Sequence, residues 1–136
     1  MIFRFDDICA NSDTRQVMAM TGAAQARGPQ VWHCISPLCH GEAENQRVFP
    51  RILKAMSDWR LFYKVDTVAF PLLPGVKRCS HGLIHVDHRL LERPAQEMSI
   101  LVSCSLVDSR TFVPPFNKWN EDTESLCCEN DIELVK

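Results

Sequence analysis

Hydrophobic and polar positions along the chain follow two periodicities, and each change of period marks a predicted element. Short runs of β-branched and aromatic residues over Ile2–Phe5 and Gln30–Ser36 are typical of strands. Between them the apolar residues recur at helical spacing, which predicts a helix over Thr14–Arg27. Capping residues precede this helix and Gly28-Pro29 stops it, so the first part of the chain is predicted to fold as strand, helix, strand.

The same two periods continue to the end of the chain. Further helices are predicted over Val48–Met56, after Pro94, and over Asn120–Cys128. Further strands are predicted at four places: Leu61–Phe70, Cys79–His85 (a short strand running into a loop), Thr111–Val113 and Ile132–Val135. This alternation predicts an α/β fold with a largely parallel sheet, in a single domain over residues 1–136. Because the sequence stops within a strand-like run, an open sheet with an exposed edge is expected.

Composition and charge exclude several classes of function. Hydrophobic residues make up 46% of the chain and charged residues 24%, which is typical of a domain with a buried core. The net charge of −2 gives no basic face for nucleic acid. No apolar run approaches the ~20 residues of a membrane span. No signal-peptide hydrophobic stretch follows Met1, so a cytoplasmic location is predicted.

The chain contains seven cysteines, whose arrangement argues against a structural role as bridges or metal ligands. The count is odd and no two cysteines form a Cys-x-x-Cys pair. Both features disfavour a disulfide framework and a zinc ribbon. Most of the cysteines are therefore predicted to be small buried hydrophobic residues, and Cys9 is predicted to be a packed thiol.

Candidate chemistry gathers where predicted strands end. Asp6-Asp7 follow the first strand, and His81 and His85 follow a later one. Taken singly, the acids would also suit a turn, and each histidine would suit a structural position. However, three of the five histidines fall between His81 and His88, where His88 is expected at the surface. One carboxylate and two imidazoles are a common protein ligand set for a catalytic zinc, and the second carboxylate would then accept a proton.

Two of these clusters resemble motifs of the polysaccharide deacetylases of the NodB-homology type, whose fold is an irregular (β/α) barrel. Arg4-Phe5-Asp6-Asp7 resembles the first motif, and Ser80-His81-Gly82-Leu83-Ile84-His85 resembles the second. The resemblance implies that Asp6 is the general base and that Asp7, His81 and His85 bind one divalent metal ion, with zinc favoured. Glycine after the first histidine departs from the family's usual serine or threonine.

The segment Phe112–Asn117 resembles the third motif of that family, which lines one wall of the substrate groove. The resemblance implies that Pro115, Phe116 and Asn117, together with Trp119 nearby, contact a sugar. The arginine expected in this motif is absent, which leaves the orientation of the general base open. The family's later motifs, including its catalytic acid, would lie beyond the end of this sequence. We therefore expect an incomplete barrel that lacks the C-terminal part of the family domain.

The resemblance implies a metal-dependent hydrolase that removes an acetyl group from an N-acetylated or O-acetylated sugar. A non-catalytic metal-binding or carbohydrate-binding protein of the same fold is the main alternative. A metallophosphoesterase would need more ligands for its two-metal site than the sequence offers. The expected partner is a carbohydrate, with no nucleic acid and no membrane span, and the exposed sheet edge predicts self-association.

Overall fold

A computed structural model describes residues 1–9, 11–38, 47–48, 50–51 and 72–136 of the chain. Within these residues, five strands form one sheet in which every neighbouring pair is parallel. The strands are β1 (Ile2–Cys9), β2 (Gln30–Ser36), β3 (Val76–Ser80), β4 (Thr111–Phe112) and β5 (Glu133–Leu134). Their order in the sheet follows their order in the chain, so β1 and β5 are the edges of the described sheet. The predicted α/β class with a parallel sheet is confirmed.

Three α-helices are described over their whole length: α1 (Thr14–Gln25), α2 (Arg93–Leu106) and α3 (Glu121–Glu129). Each helix begins at residues that favour a helix N-terminus. The Asp13 side chain accepts hydrogen bonds from the first turn of α1. Pro94 occupies the first turn of α2, and Asn120 and Thr123 cap α3 reciprocally. None of the helices in this part of the chain is both long and apolar enough to cross a membrane.

The helices pack on one face of the sheet, which is where the main core lies. Phe112 of β4 is fully buried and packs with Ile100 of α2 and Leu126 of α3. On β2, two strands away from β4, His33 contacts Thr21 of α1 through a 2.7 Å hydrogen bond. Because side chains alternate along a strand, the residues between these point to the opposite side.

That opposite side is here called the inner face, and it is formed by Trp32, Cys34, Cys79 and Val113 with Val135 packed against them. Cys34 and Cys79 lie in register on adjacent strands. The inner face therefore combines a small apolar cluster with thiols. Its upper end, beyond the carboxyl ends of the strands, is where the predicted site residues lie.

Several predicted boundaries differ from the structure, and strand pairing explains most of the differences. The prediction for β2 is confirmed at both ends. The prediction for β3 is wrong at its start, because Val76 and Lys77 pair with Val31 and Trp32 although their sequence looks like a loop. The predicted helix at Val48–Met56 lies mostly outside the described residues, and so does all of the predicted strand at Leu61–Phe70.

Candidate metal centre

An irregularity in β1 places Asp7 at the end of the sheet. Phe5 pairs with His33 and Ile8 pairs with Ile35, so β1 carries one residue more than β2 between these two pairs. This extra residue is a β-bulge, a device that re-aims a side chain. Asp7 lies in the bulge with φ 62°, the left-handed region that few non-glycine residues adopt. The prediction that the strand ends before the acids is therefore wrong, because pairing resumes beyond them.

His81 and His85 come from the tight turn that follows β3. The backbone N–H of His81 donates to the carbonyl of Ile35 at 2.8 Å, which extends the strand pairing to the first histidine. Gly82 then adopts φ 101°, and an added Cβ would lie 3.1 Å from the Ser99 hydroxyl. A side chain at this position would be strained on both counts. The reversal brings the two imidazole rings into a stack with their centroids 5.3 Å apart.

The three side chains converge on one oxygen. Asp7 Oδ1 lies 3.2 Å from His81 Nε2 and 3.2 Å from His85 Nε2. In the described part of the chain, these three residues form the one group of potential metal ligands whose ligand atoms all lie within 4.8 Å of one another. The His81 side chain is 2% exposed, whereas that of Asp7 is 61% exposed. The cluster is therefore anchored in the core on one side and open to solvent on the other.

A buried backbone carbonyl keeps a hydrogen on one ring nitrogen of His81. Its Nδ1 atom lies 2.8 Å from the carbonyl oxygen of Val113, in a buried contact. Since a carbonyl oxygen only accepts, Nδ1 carries a hydrogen and donates it. The other ring nitrogen, Nε2, lies 3.2 Å from Asp7 Oδ1; it donates to this carboxylate when it carries a hydrogen and would offer its lone pair to a bound ion. Metal-binding histidines in proteins are commonly supported in this way.

The electrostatics of the cluster favour an ionised carboxylate. The hydrogen bond from His81 lowers the pKa of Asp7 below its usual value, and the charges of protonated His85 and His81 act in the same direction. Partial burial of the carboxyl group opposes this effect without reversing it. Asp7 is therefore ionised at neutral pH, as a metal ligand must be.

The donor set fits a divalent ion such as zinc. One carboxylate oxygen and two imidazole nitrogens are typical of catalytic zinc sites, which leave a fourth position for water or substrate. Ligand atoms ~2.1 Å from a tetrahedral ion would lie ~3.4 Å from one another, close to the 3.2 Å spacing between Asp7 Oδ1 and each histidine nitrogen. The solvent-exposed side of Asp7 is where such an open position would lie.

The turn at Pro115–Asn117 closes one side of the cluster. Phe116 and Asn117 both have positive φ, 59° and 54°. The Phe116 ring stacks on His85 with the centroids 4.1 Å apart, and the residue remains 37% exposed. Pro115 is buried beneath the turn, and Trp119 donates its indole N–H to Glu124 at 3.0 Å. Of the predicted sugar contacts, Phe116 thus lies against the cluster and Trp119 against the start of α3.

Asp6 is not one of the three converging residues, and its carboxylate is held by Arg4. Arg4 Nε lies 2.9 Å from Asp6 Oδ1, and Arg4 Nη2 lies 3.0 Å from Asp6 Oδ2. The same Nη2 donates to Asn117 Oδ1 at 2.8 Å. Sequence reasoning gave Arg4 no role. The signal available was its position two residues before Asp6, which places both side chains on one side of a strand.

Two further predictions are wrong. His88 is fully buried rather than on the surface, with Nε2 2.9 Å from the Ser99 hydroxyl and its ring packed on Phe112. Cys9 is disulfide-bonded rather than a packed free thiol. The cysteines described as free number five, and four of them, Cys34, Cys79, Cys104 and Cys127, are buried as predicted.

Comparisons with known proteins give the fold. No protein-family model and no curated protein matches the sequence. Among solved structures, a family 4 carbohydrate esterase from Streptomyces lividans in complex with acetate matches 99% of this chain with a TM-score of 0.58 at 13% identity. A family 4 pseudoenzyme from Bacillus anthracis matches 99% with a TM-score of 0.60 at 8% identity, and a mutant of it matches 100% with a TM-score of 0.60 at 8%.

These neighbours have the polysaccharide deacetylase fold, so the fold predicted from the sequence motifs is confirmed. The chain covers 59% of the Streptomyces protein, 42% of the Bacillus protein and 44% of its mutant. It therefore spans roughly half the length of the structures it resembles.

Proposed function

We propose that this chain, which has the fold of the family 4 carbohydrate esterases, binds one zinc ion through Asp7, His81 and His85. We propose further that it serves in hydrolysis of an acetyl group on an N-acetylated or O-acetylated sugar. The observation that carries the proposal is the convergence of three ligand atoms from two separate segments on one solvent-accessible point. The support of His81 by the Val113 carbonyl strengthens it.

In this proposal the chain's own residues divide the work. A divalent ion, when bound, supplies the Lewis acid that polarises the acyl oxygen and acidifies a water molecule. Asp6 accepts a proton from the water as its oxygen adds to the acyl carbon. The bond from that carbon to the sugar's nitrogen or oxygen then breaks, and acetate is released. A proton donor must serve the leaving group, and the buried His88 is excluded from that role.

A carbohydrate is proposed as the partner because of the surface around the cluster. The exposed face of Phe116 offers an apolar platform next to His85, and sugar rings pack well on aromatic faces. Asn117 and Trp119 flank the same turn and complete the proposed wall, whereas buried Pro115 shapes it from below.

The alternative is a protein of this fold that binds a metal or a sugar without turnover. The Bacillus neighbours, described as pseudoenzymes, support keeping it. The presence in this chain of a complete three-residue cluster together with Asp6 favours catalysis. Acetate release separates the two, because the alternative retains zinc or sugar binding but releases no acetate.

Two further features belong to the proposal. The edge strand β1 presents unpaired backbone groups in the described sheet, which supports self-association along that edge. A cytoplasmic location fits the five free thiols, whereas the disulfide at Cys9 is uncommon in that compartment. Thiol labelling of the protein isolated from its native compartment under non-reducing conditions tests the location: labelling of Cys9 supports the cytoplasm, and labelling only after reduction contradicts it.

The proposal is tested by measuring zinc binding and acetate release together. We expect one zinc per chain and acetate release from N-acetylglucosamine oligomers or acetylated xylan, with both lost in Asp7→Asn. Asp122→Asn is the matched control, because Asp122 is a half-buried acid in the first turn of α3 that pairs with Arg93 and not with any residue of the cluster. Zinc binding unchanged by Asp7→Asn would contradict the site, and zinc binding without acetate release would support the non-catalytic alternative.

A further inference from the structure

The carboxylate of Asp6 is held at both oxygens by one guanidinium group. Arg4 Nε and Nη2 approach Oδ1 and Oδ2 separately, at 2.9 Å and 3.0 Å, which is the two-pronged pairing that only arginine provides. Arg4 lies before the bulge and Asp6 lies within the irregular step between Phe5 and Ile8, and the two side chains meet on one side of β1. Such a pairing fixes the plane of the carboxylate as well as its position.

The guanidinium is itself held by a residue of the turn that follows β4. Arg4 Nη2 also donates to Asn117 Oδ1 at 2.8 Å, across a sequence separation of 113 residues. Asn117 reaches this position because its backbone is left-handed, with φ 54°, a conformation that asparagine tolerates well. Its neighbour Phe116, in the same turn, packs on the proposed metal ligand His85. One turn therefore contacts both the proposed ligand set and the Arg4–Asp6 pair.

We propose that Arg4, held by Asn117, is a positioning residue that sets the orientation of the Asp6 carboxylate for proton transfer. This inference rests on the proposed function for its catalytic consequence. Arg4 comes from the strand that carries the base, whereas the segment Phe112–Asn117, which resembles the family motif that usually has an arginine, contains none. Each oxygen of Asp6 that pairs with Arg4 keeps a second lone pair, so the carboxylate can still accept a proton from water.

The Arg4–Asp6 pair lies at the surface, with each of its two side chains partly covered. The Arg4 and Asp6 side chains are 28% and 32% exposed. On the inner face, Asp6 also lies beside Cys34, whose pKa is raised by Cys79, by burial and by Asp6 itself. Cys34 therefore stays a neutral thiol, and Arg4 is the positive partner of Asp6 among the contacts that the described residues make.

The test uses substitutions that change the geometry while keeping the charge or the backbone. Arg4→Lys keeps a positive charge but loses the two-pronged contact. Asn117→Gly keeps the left-handed backbone and removes the acceptor. Arg93→Lys is the matched control, because Arg93 Nη2 contacts both carboxylate oxygens of Glu129 at 2.9 Å, in a pair between α2 and α3. All variants are compared with the wild-type protein loaded with zinc.

We expect kcat for acetate release to fall roughly 10- to 100-fold in Arg4→Lys and less steeply in Asn117→Gly, because a misplaced catalytic group slows the reaction by such factors. Zinc affinity should stay within about twofold, since Arg4 contacts none of the three ligands. Arg93→Lys should retain wild-type kcat. An active wild type with an equally active Arg4→Lys would overturn the inference and leave the proposed function standing.

A second measurement tests the positioning of Asp6 by Arg4 separately from the proposed function, and it does not require turnover. The Nε–H of Arg4, observed by NMR of the nitrogen-15-labelled protein, should exchange slowly with solvent and should lose this protection in Asp6→Asn and weaken in Asn117→Gly. An inactive wild type contradicts the proposed function, and the positioning of Asp6 is then decided by this signal alone. Fast exchange of the Arg4 Nε–H in the wild type would overturn the inference whatever the activity.

Discussion

The carbonyl oxygen of Val113, immediately after β4, lies 2.8 Å from Nδ1 of His81, immediately after β3. Because the oxygen can only accept, the contact makes Nδ1 the protonated nitrogen of the ring. The neighbouring backbone fixes the same geometry, since the N–H of Val113 donates to the Ser80 carbonyl at 2.8 Å. The pairing of β3 with β4 therefore orients a side chain that neither strand contains.

The first prediction follows from this contact. In the zinc-loaded protein, His81 should carry its hydrogen on Nδ1 and bind the metal through Nε2. Long-range nitrogen–hydrogen NMR correlations of the histidine rings report which nitrogen is protonated. A zinc-loaded protein in which the Nδ1 atom of His81 is the metal-binding nitrogen would show that the Val113 contact does not persist and that the site is assembled differently.

The second prediction concerns the division of labour between the adjacent acids. Asp7→Asn should weaken zinc binding strongly, because it replaces the ionised oxygen shared by the two histidines. Asp6→Asn should keep zinc and slow acetate release by roughly 10²–10⁴-fold, the usual contribution of a general base. Zinc titration and turnover of both variants check this. If Asp6→Asn loses zinc and Asp7→Asn keeps it, the roles are reversed.

The third prediction concerns the backbone of the bulge. Both Asp7→Gly and Asp7→Ala remove the carboxylate, but only glycine adopts φ near 62° without strain. The free energy of unfolding should therefore be higher for Asp7→Gly than for Asp7→Ala, by roughly 1 kcal/mol. Urea denaturation of the metal-free proteins measures the difference.

At a control position, the alanine variant should be more stable than the glycine variant. Glu97 is exposed in the interior of α2, where glycine is disfavoured relative to alanine. There Glu97→Gly should be less stable than Glu97→Ala by about 1 kcal/mol. The same order at position 7 as at position 97 would mean that the left-handed conformation of Asp7 is absent in solution.

The fourth prediction concerns pH and His88. Full burial lowers the pKa of His88 from 6.5 to about 4, against weaker opposing effects of Gln96 and Asp87. The unfolded chain therefore binds a proton below pH 6.5 that the folded protein excludes, so stability falls as the pH decreases through this range. Between pH 7.5 and pH 5 this residue should cost roughly 2 kcal/mol of unfolding free energy.

The comparison that isolates His88 uses His88→Gln, which stays neutral and still offers a hydrogen bond to Ser99. The pH dependence of the wild type minus that of this variant gives the contribution of His88. Urea denaturation at pH 7.5 and pH 5 measures this difference. An equal loss of unfolding free energy in the wild type and in His88→Gln would show that His88 is accessible to protons in the folded state.

The sequence predicted the fold class and drew attention to the acids and histidines because these features depend on local patterns. The run Val31–Ile35 is apolar enough to mark a strand by itself, and two histidines four residues apart stand out in any reading. Motif resemblance then supplied the (β/α) topology, which the parallel sheet bears out.

What the sequence could not predict depends on pairing between distant segments. The bulge at Asp7 is visible only once β1 is aligned with β2, since nothing in Arg4–Cys9 marks one residue as extra. The contact between Arg4 and Asn117 joins residues 113 positions apart. Burial of His88 likewise requires α2, whose Ser99 meets the ring. Local pattern carries no information about these long-range partners.

The account's central claim is that Asp7, His81 and His85 bind one zinc ion, and calorimetric titration of the metal-free protein with zinc tests it most directly. We predict one zinc per chain, and a loss of affinity on His85→Ala larger than the ~10–100-fold typical of residues that only support a ligand. His33→Gln, which alters a buried histidine bonded to Thr21 behind the sheet, should bind zinc as the wild type does. Absence of binding heat in the wild type, or equal affinity of wild type and His85→Ala, would contradict the claim.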